Sequence, residues 1–471
     1  MHNLHYEKFR DGTVKCIEEE IPFDVPNGWE WCRLSNICLI LNGDRGQNYP
    51  AKSKLHSEGI PFVSASNIID GEVSTEGLLY LSDEQYDLLG AGKLELNDIV
   101  FCIRGSLGKC GYFTMEKGAI ASSLVIVRAI SNKEYLNGYI FNYLNSLFAY
   151  DEIKKYDNGS AQPNLAAKDF QNFLVPLPAN EEIGRISDKC EILLMNENNI
   201  SVAAEELQDC ISNTKSKILD LAIRGKLVPQ NPNDEPASIL LKRIREEKES
   251  LIKQGKIKHD KKESIIYKGD DNSYYEKLSD GTIRSIDEEL PFEIPNNWHW
   301  ERIRNLFNIN PKNNISDDTT VSFIPMALLD DGYSGQYSSE EKVWKDCKKG
   351  FTHFSDGDVC FAKISPCFEN RKSAYFKKLI NGYGAGTTEL YVLRRYTDDI
   401  IAEYLLSFVK SEYFISRGRN TFSGVVGQQR VDKEVMLDTF IPLPPSAEQV
   451  KIISKISKSF SEIANIEDSI N

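Results

Sequence analysis

The residues that could do chemistry fall short of a catalytic arrangement. The Gly-Lys pairs Gly108-Lys109 and Gly225-Lys226 both lack the upstream glycine and the following Ser or Thr with which a loop wraps a phosphate in backbone N–H groups. Six scattered histidines (His2, His5, His56, His259, His299 and His353) form no H-E-x-x-H pair and read as surface or packing residues. Among the ten cysteines there is no C-x-x-C pair and none at zinc-finger spacing from a histidine, so they read as free, mostly buried thiols and no metal site is expected. The G-x-G-x-x-G and G-x-S-x-G motifs are missing, as is the N/D-P-P-aromatic tetrapeptide by which amino-methyltransferases hold a flipped base. Such a chain is expected to bind rather than to catalyse. Its net charge of −14 argues against a broadly basic nucleic-acid surface, yet residues 342–378 hold nine Lys and Arg against four Asp and Glu. Any nucleic-acid contact is therefore expected to be local or shared with a partner.

Two copies of one unit must position these residues. Residues 6–36 read YEKFRDGTVKCIEEEIPFDVPNGWEWCRLSN and residues 275–305 read YEKLSDGTIRSIDEELPFEIPNNWHWERIRN, an internal repeat at an offset of 269. In each copy Asp-Gly makes a tight turn between short strands, and a Pro-flanked apolar segment leads to a Trp-x-Trp strand whose tryptophans are expected to anchor the core. Asn97-Asp98-Ile99-Val100-Phe101 matches Gly357-Asp358-Val359-Cys360-Phe361, a turn feeding a strand. The copies diverge next, at 104–109 and 363–372, and close alike on Val175-Pro176-Leu177-Pro178 and Ile441-Pro442-Leu443-Pro444. A shared frame with unlike middles is what one scaffold presenting two recognition surfaces would look like.

Between the copies the seam Ile183, Ile186, Cys190, Leu193, Glu197, Ile200, Ala204, Leu207, Ile211, Thr214, Ile218 and Leu221 steps alternately by three and four. It predicts one helix over 181–223, about 65 Å long at roughly 1.5 Å per residue. Gly225 supplies a left-handed cap, and Pro229 and Pro232 forbid continuation. A second helix is expected from Asp234 to Gly255, folding back as a hairpin on the first, and a shorter one over the last 26 or so residues through Ile456, Phe460 and Ile463. The expected division is 1–180 and 263–445 as β-rich domains, 181–262 as helical spacer, and 446–471 as a helix packing on it. No apolar run is long enough for a membrane span and no signal-peptide pattern opens the chain, so a cytoplasmic location is expected.

The stretch AIRGKLVPQNPNDEPAS at 222–238, the Pro-Leu-Pro segments, the Pro-x-x-Trp-x-Trp segments and the two-copy layout resemble the specificity subunits of Type I restriction-modification systems. The resemblance covers essentially the whole chain. It implies an α+β fold with two homologous β-rich target-recognition domains separated by long antiparallel coiled-coil helices in a pseudo-two-fold arrangement. It also implies double-stranded DNA as a partner, two methyltransferase (modification) subunits on the helices, and restriction/translocase subunits beyond them. Catalysis would lie in those partners, with S-adenosylmethionine, ATP and Mg there and no cofactor in this chain.

If the resemblance holds, groove readout selects the contact residues, because Arg and Lys meet guanine edges and phosphates while Asn and Gln meet adenine edges. The candidates are Arg45, Lys52, Arg104, Lys109, Gln162 and Asn164 in the first copy. In the second they are Lys312, Lys363, Arg371, Lys372, Arg417, Arg419, Gln428 and Arg430. Partner-binding positions are Ile183, Ile186, Leu193, Ile200, Leu207, Ile211, Ile218 and Leu221 on the long helix, and Ile456, Phe460 and Ile463 on the last. Two other classes compete. A coiled-coil interaction scaffold without DNA specificity leaves 222–238 unexplained, and an acidic DNA mimic leaves the basic island unexplained.

Overall fold

The computed structural model describes residues 4–131, 133–156, 163–425 and 427–469. It divides into two compact units, 1–203 and 204–471, with the boundary inside the long helix, so residues 204–262 of the spacer group with the second copy.

The repeat persists as topology. In the first unit one sheet runs Cys38–Asn42, Leu124–Ala129, Ile99–Cys102, Cys110–Tyr112, Glu72–Val73 and Ile68–Ile69. The second unit repeats its first four strands as Phe307–Ile309, Leu390–Arg395, Val359–Ala362 and Ser373–Tyr375. A second sheet orders Leu79–Leu81, Ile60–Val63, Lys117–Ile120 and Lys93–Glu95, matched by Glu340–Val343, Thr320–Ile324, Tyr383–Gly386 and Thr352–Ser355. The inner pair of this sheet is parallel in both copies. The continuous apolar runs Ile99–Cys102 and Val359–Ala362 are buried throughout, as central strands must be.

Local chemistry explains the shared frame. Asn97 (φ 66°) and Gly357 (φ 95°) turn the chain through the left-handed region that these residue types tolerate. The next residue, Asp98 or Asp358, is buried and takes a two-pronged hydrogen bond from Arg128 or Arg394, 2.8 and 2.7 Å in each copy. A carboxylate out of water needs such a partner. Where the sheets meet, a Cβ on Gly118 would lie 2.6 Å from the Phe113 ring, and one on Gly384 2.1 Å from Phe354, so only glycine fits. The Pro-Leu-Pro strands pair with the tryptophan strands, setting Pro176 opposite Trp31 and Pro442 opposite Trp300. Their proline carbonyls accept from the Tyr139 and Tyr404 hydroxyls. Trp298 and Trp300 are core anchors, as expected, whereas Trp29 and Trp31 are only half-buried.

The long helix spans Asn180–Ile223 without a break and stops at Gly225 (φ 66°). The next, Ala237–Lys253, does not form the expected hairpin on it. Its Leu240, Leu241 and Ile244 enter the core of the second unit beside Ile303 and Leu306, while Arg245 meets Glu301 and Lys248 meets Glu263. The antiparallel mate of the long helix is instead the terminal helix Ser446–Asp468. Ile452 and Ile456 pack with Leu219 and Ala222, and Glu467 lies 2.9 Å from Lys215. One partner-binding expectation needs correction: Ile183 is 2% exposed inside the first unit's core and closed to any partner. Ile186 also packs against that core, and Ile218, Ile456 and Phe460 belong to the helix pairing. Ile463 on the terminal helix is half-buried, as are Leu207, Ile211 and Leu221, while Leu193 and Ile200 are 55% and 71% exposed. Cys38, Cys102, Cys110, Cys347 and Cys360 are buried, half of the ten. Among the described residues no helix is long and apolar enough to cross a membrane, and no group of three or more His, Cys, Asp or Glu could hold a metal ion.

Candidate nucleic-acid interface

The divergent segments meet at a backbone junction that both copies share. In the first unit Arg104 bridges Asn164 across two antiparallel segments, and the Leu165 N–H donates to the Ile103 carbonyl at 2.9 Å. The second unit repeats this with Ile364 bridging Arg430 and the Val431 N–H donating to the Lys363 carbonyl, also at 2.9 Å. Backbone hydrogen bonds thus hold two loops side by side whatever their side chains are, which leaves the side chains at liberty to differ.

In the first unit the junction opens on a groove of about 440 Å³ lined by Asn42, Gly43, Arg45, Arg104 and Asn164. The Arg104 Nε donates to Asn164 Oδ1 at 3.0 Å and Arg45 Nη2 to the Ser122 carbonyl at 3.2 Å. Lys109 Nζ reaches the Ala65 carbonyl at 3.3 Å. All three cations are exposed and rest on neutral acceptors, so their charge is not cancelled locally. Lys52 sits apart in the exposed turn Lys52–Lys54, and Gln162 lies outside the described residues.

The second unit gathers Lys363, Gln428 and Arg430 at the same junction. Arg430 grips Glu389 with two hydrogen bonds, Nε and Nη2 each at 2.9 Å, and its Nη1 donates to the Gln428 carbonyl at 3.3 Å. The Arg430 hydrogen bond, outweighing partial burial, holds the Glu389 carboxyl below its ordinary range. Lys363 Nζ lies 5.5 Å above the Tyr391 ring. Lys312 is exposed on a separate loop.

The remaining cations of the second unit do structural duty. Arg371 (φ 58°) donates to the Lys410 carbonyl and to Glu412, with its guanidinium over Tyr333. Lys372 donates to the Leu329 carbonyl at 2.7 Å, Arg419 lies 3.4 Å from Glu369, and Arg417 donates to Thr439 Oγ1. Beneath them Lys410, 2% exposed, donates to the carbonyls of Gly332 and Arg371 at 2.7 and 2.9 Å. Burial pushes its ammonium down to about 7. Sequence reasoning missed Glu389 and Lys410. Each stands about forty residues from the loop it serves, and no local pattern marks such a partner.

A family model described as the Type I restriction modification DNA specificity domain matches residues 26–205 and 295–471. The specificity subunit of the Type I restriction enzyme EcoAI of Escherichia coli is 46% identical over 252 residues, 53% of this chain and 40% of that protein. The EcoEI specificity subunit, also of Escherichia coli, is 43% identical over 249 residues, 53% of this chain and 39% of that protein. The chain thus spans about two fifths of the length of these curated relatives. A solved chain, described under the structural basis of complex assembly and conformational transition of the type I R-M system, aligns with a TM-score of 0.57 at 16% identity. That alignment covers 95% of this chain and 94% of the solved one and establishes a likeness of fold.

Proposed function

The chain belongs to the Type I restriction-modification DNA specificity family, and from that premise we propose that it reads a bipartite, asymmetric DNA target for catalytic subunits that it does not itself replace. The observation that carries this reading is the repeated junction: Arg104 with Asn164 in one domain, Lys363 with Gln428 and Arg430 in the other, on one backbone frame. Equal frames with unequal side chains suit two unlike half-sites. Side chains that fork, as Arg, Asn and Gln do, suit the paired donor and acceptor edges of the major groove.

Energetics favour exchange of partners on binding. Arg430 is 47% exposed, so water screens its pairing with Glu389 and the pair is weak. A bidentate Arg–guanine contact discriminates by roughly 1–3 kcal/mol. Glu389 can therefore hold Arg430 in a defined rotamer before binding and yield it to a base edge. In the first domain Arg104 and Arg45 have only neutral acceptors to leave.

Two modification subunits would dock on the long helix through exposed Leu193 and Ile200 and half-buried Leu207 and Ile211, and restriction subunits would join them. S-adenosylmethionine, ATP and Mg would be held there, and the assembled system would work in the cytoplasm. The acidity of this chain assigns much of the phosphate contact to those partners.

The test is a plasmid protection assay with the assembled methyltransferase. Charge reversal at Arg45, Arg104 and Lys109 together is expected to abolish methylation that depends on one half-site. Reversal at Lys363 and Arg430 is expected to do so for the other. Unchanged methylation with either set would refute the assignment.

A further inference from the structure

One repeat position away from the junction is polar in both domains and ties the same two parts of the frame together. Asp44 and Asn313 stand at the offset of 269 that relates the copies, just past the strands Cys38–Asn42 and Phe307–Ile309 that edge the first sheet of each domain. Each lies beside a candidate contact cation, Arg45 following Asp44 and Lys312 preceding Asn313. Both cations are exposed, whereas Asp44 and Asn313 are half-buried.

In the first domain the Asp44 carboxylate accepts from two backbone N–H groups. Gly46 donates at 2.6 Å from the same loop, and Gly90 donates at 2.7 Å from the turn that leads into Lys93–Glu95, the edge strand of the second sheet. Asn48 Nδ2 adds a bond to the Leu88 carbonyl at 3.0 Å across the same two segments. Between these ties the backbones touch: a Cβ on Gly92 (φ 77°) would lie 2.7 Å from the Gly43 Cα, and one on Gly43 2.8 Å from the Ala121 carbonyl oxygen. Only glycine permits so close an approach. The loop is thus pinned, and it brings Arg45 to the groove that Arg104 and Asn164 also line. The bonds from Gly46 and Gly90 hold the Asp44 carboxyl below its ordinary range, so the anchor stays charged in neutral solution.

The second domain does the same job with other chemistry. Asn313 Nδ2 donates to the Phe354 carbonyl at 2.8 Å, on Thr352–Ser355, the repeat of that edge strand. The Asn313 backbone N–H donates to His353 Nδ1 at 3.3 Å, while His353 Nε2 donates to the Lys348 carbonyl at 2.9 Å. Asn313 Oδ1 accepts from Arg394 Nη2 at 3.1 Å, the guanidinium already fixed on buried Asp358, so this loop is tied to both sheets. Neither anchor can replace the other. A carboxylate at 313 has no N–H to give Phe354, and an amide at 44 has only one oxygen for two N–H donors.

We infer that Asp44 and Asn313 are positioning residues, each latching its loop to the edge of the second sheet and so setting where Arg45 or Lys312 meets DNA. The inference rests on the proposed reading of a bipartite target. A loose Arg45 would meet many base edges, and a held one selects among them. The latches are equivalent while the cations differ, a guanidinium that forks in one domain and an ammonium that acts as a point charge in the other.

The test measures methylation by the assembled methyltransferase on a duplex carrying the target read from plasmid methylated in cells, and on duplexes with one base pair of either half-site changed. Asp44→Ala is expected to lower discrimination roughly tenfold at one half-site and leave the other alone, and Asn313→Ala to do the reverse. A variant that merely weakened the fold would slow all duplexes alike and leave the ratios unchanged. Amide exchange locates the cause: in Asp44→Ala the Gly46 and Gly90 amides should exchange faster, while those of Val100 and Ile126 stay slow. Because each latch acts through its cation, adding Asp44→Ala to Arg45→Ala, or Asn313→Ala to Lys312→Ala, should cost no more than the cation variant alone. Losses that add, or unchanged discrimination in either latch variant where its cation variant loses it, would overturn the inference and leave the DNA reading intact. Unchanged discrimination in all four single variants would remove both loops from DNA contact and the latches with them. The bipartite reading itself falls only if the charge reversals at the junction also leave methylation unchanged.

Discussion

At one backbone junction the first domain sets Arg104 against the amide of Asn164, and the second sets Arg430 against the carboxylate of Glu389. A second contrast lies at the base of each domain. Arg302 is 7% exposed and grips Glu276, 2% exposed, at 2.5 and 2.9 Å, whereas Arg33 is 12% exposed and shares the more solvated Glu7 and Glu20. The scaffold tolerates both because main-chain pairing carries it. The side chains then decide how costly each polar group is to disturb.

The largest expected effect follows from the buried pair. Removing one partner of a buried ion pair strands the other charge, at about 3–5 kcal/mol. Arg302→Met leaves Glu276 only the more solvated Arg284 and the Ser264 hydroxyl, so it should destabilise the second domain by an amount at the lower end of that range. Arg33→Met should cost the first about 1.5–3 kcal/mol, the scale of a charged hydrogen bond. Denaturant unfolding read by domain-resolved amide exchange measures both, and equal losses would erase the contrast. Acid sharpens it. Burial pushes the Glu276 carboxyl up, but hydrogen bonds from Arg302, Ser264 and Arg284 outweigh that and hold it down to about 2. A depressed carboxyl stabilises the fold above its unfolded pKa near 4.5, and the contribution is lost as pH falls toward 2. The second domain should lose this contribution across that window, and Arg302→Met should flatten the loss.

How much of this was legible in the sequence depends on the reach of each signal. Turn and cap chemistry is local, so the Asp-Gly turns, the Asn97 and Gly357 turns and the stops at Gly225 and Gly255 lie where residue types place them. Seam spacing set the long helix to within one residue. An amphipathic stripe, however, says that a face is buried and not against what. Ala237–Lys253 therefore looked like the mate of the long helix although it serves the second core. Composition pointed to the basic island at 342–378, yet Arg371 and Lys372 there are tied to carbonyls and carboxylates and hold loops together. Partners such as Glu389 for Arg430, 41 residues apart, appear only when the chain is folded.

A smaller effect separates the domains by pH. Lys410 has Asn145 at its repeat position, so only the second domain buries an amine there. Its ammonium, pushed down to about 7 from 10.5, opposes folding fully below pH 7, and the opposition fades as pH rises toward 10.5. Between pH 7 and 9 the second domain should gain about 2 kcal/mol from this group, at roughly 1.4 kcal/mol per unit. The first domain should gain nothing comparable. Lys410→Met should cost stability, by leaving the Gly332 and Arg371 carbonyls without a donor, and should also abolish the slope. A slope that survives the substitution would assign it to another group.

The smallest expected effect tests the junction itself. Glu389→Gln keeps the side-chain shape and removes the charge that Arg430 now grips in two-pronged fashion. Because the pair is half-exposed and screened by water, stability should barely change. DNA affinity should rise several-fold at low salt, since a cation previously neutralised becomes available to phosphate or base, and the dependence on salt should steepen by about one counterion. Asn164→Asp runs the comparison backwards, giving the first domain the carboxylate of the second, and should weaken binding by a similar factor. Filter binding of the assembled methyltransferase over a salt series reads both. If Glu389→Gln weakens binding instead, the carboxylate acts as a brace that aims Arg430 at its base, and the second domain then depends on preorganisation where the first relies on uncancelled charge.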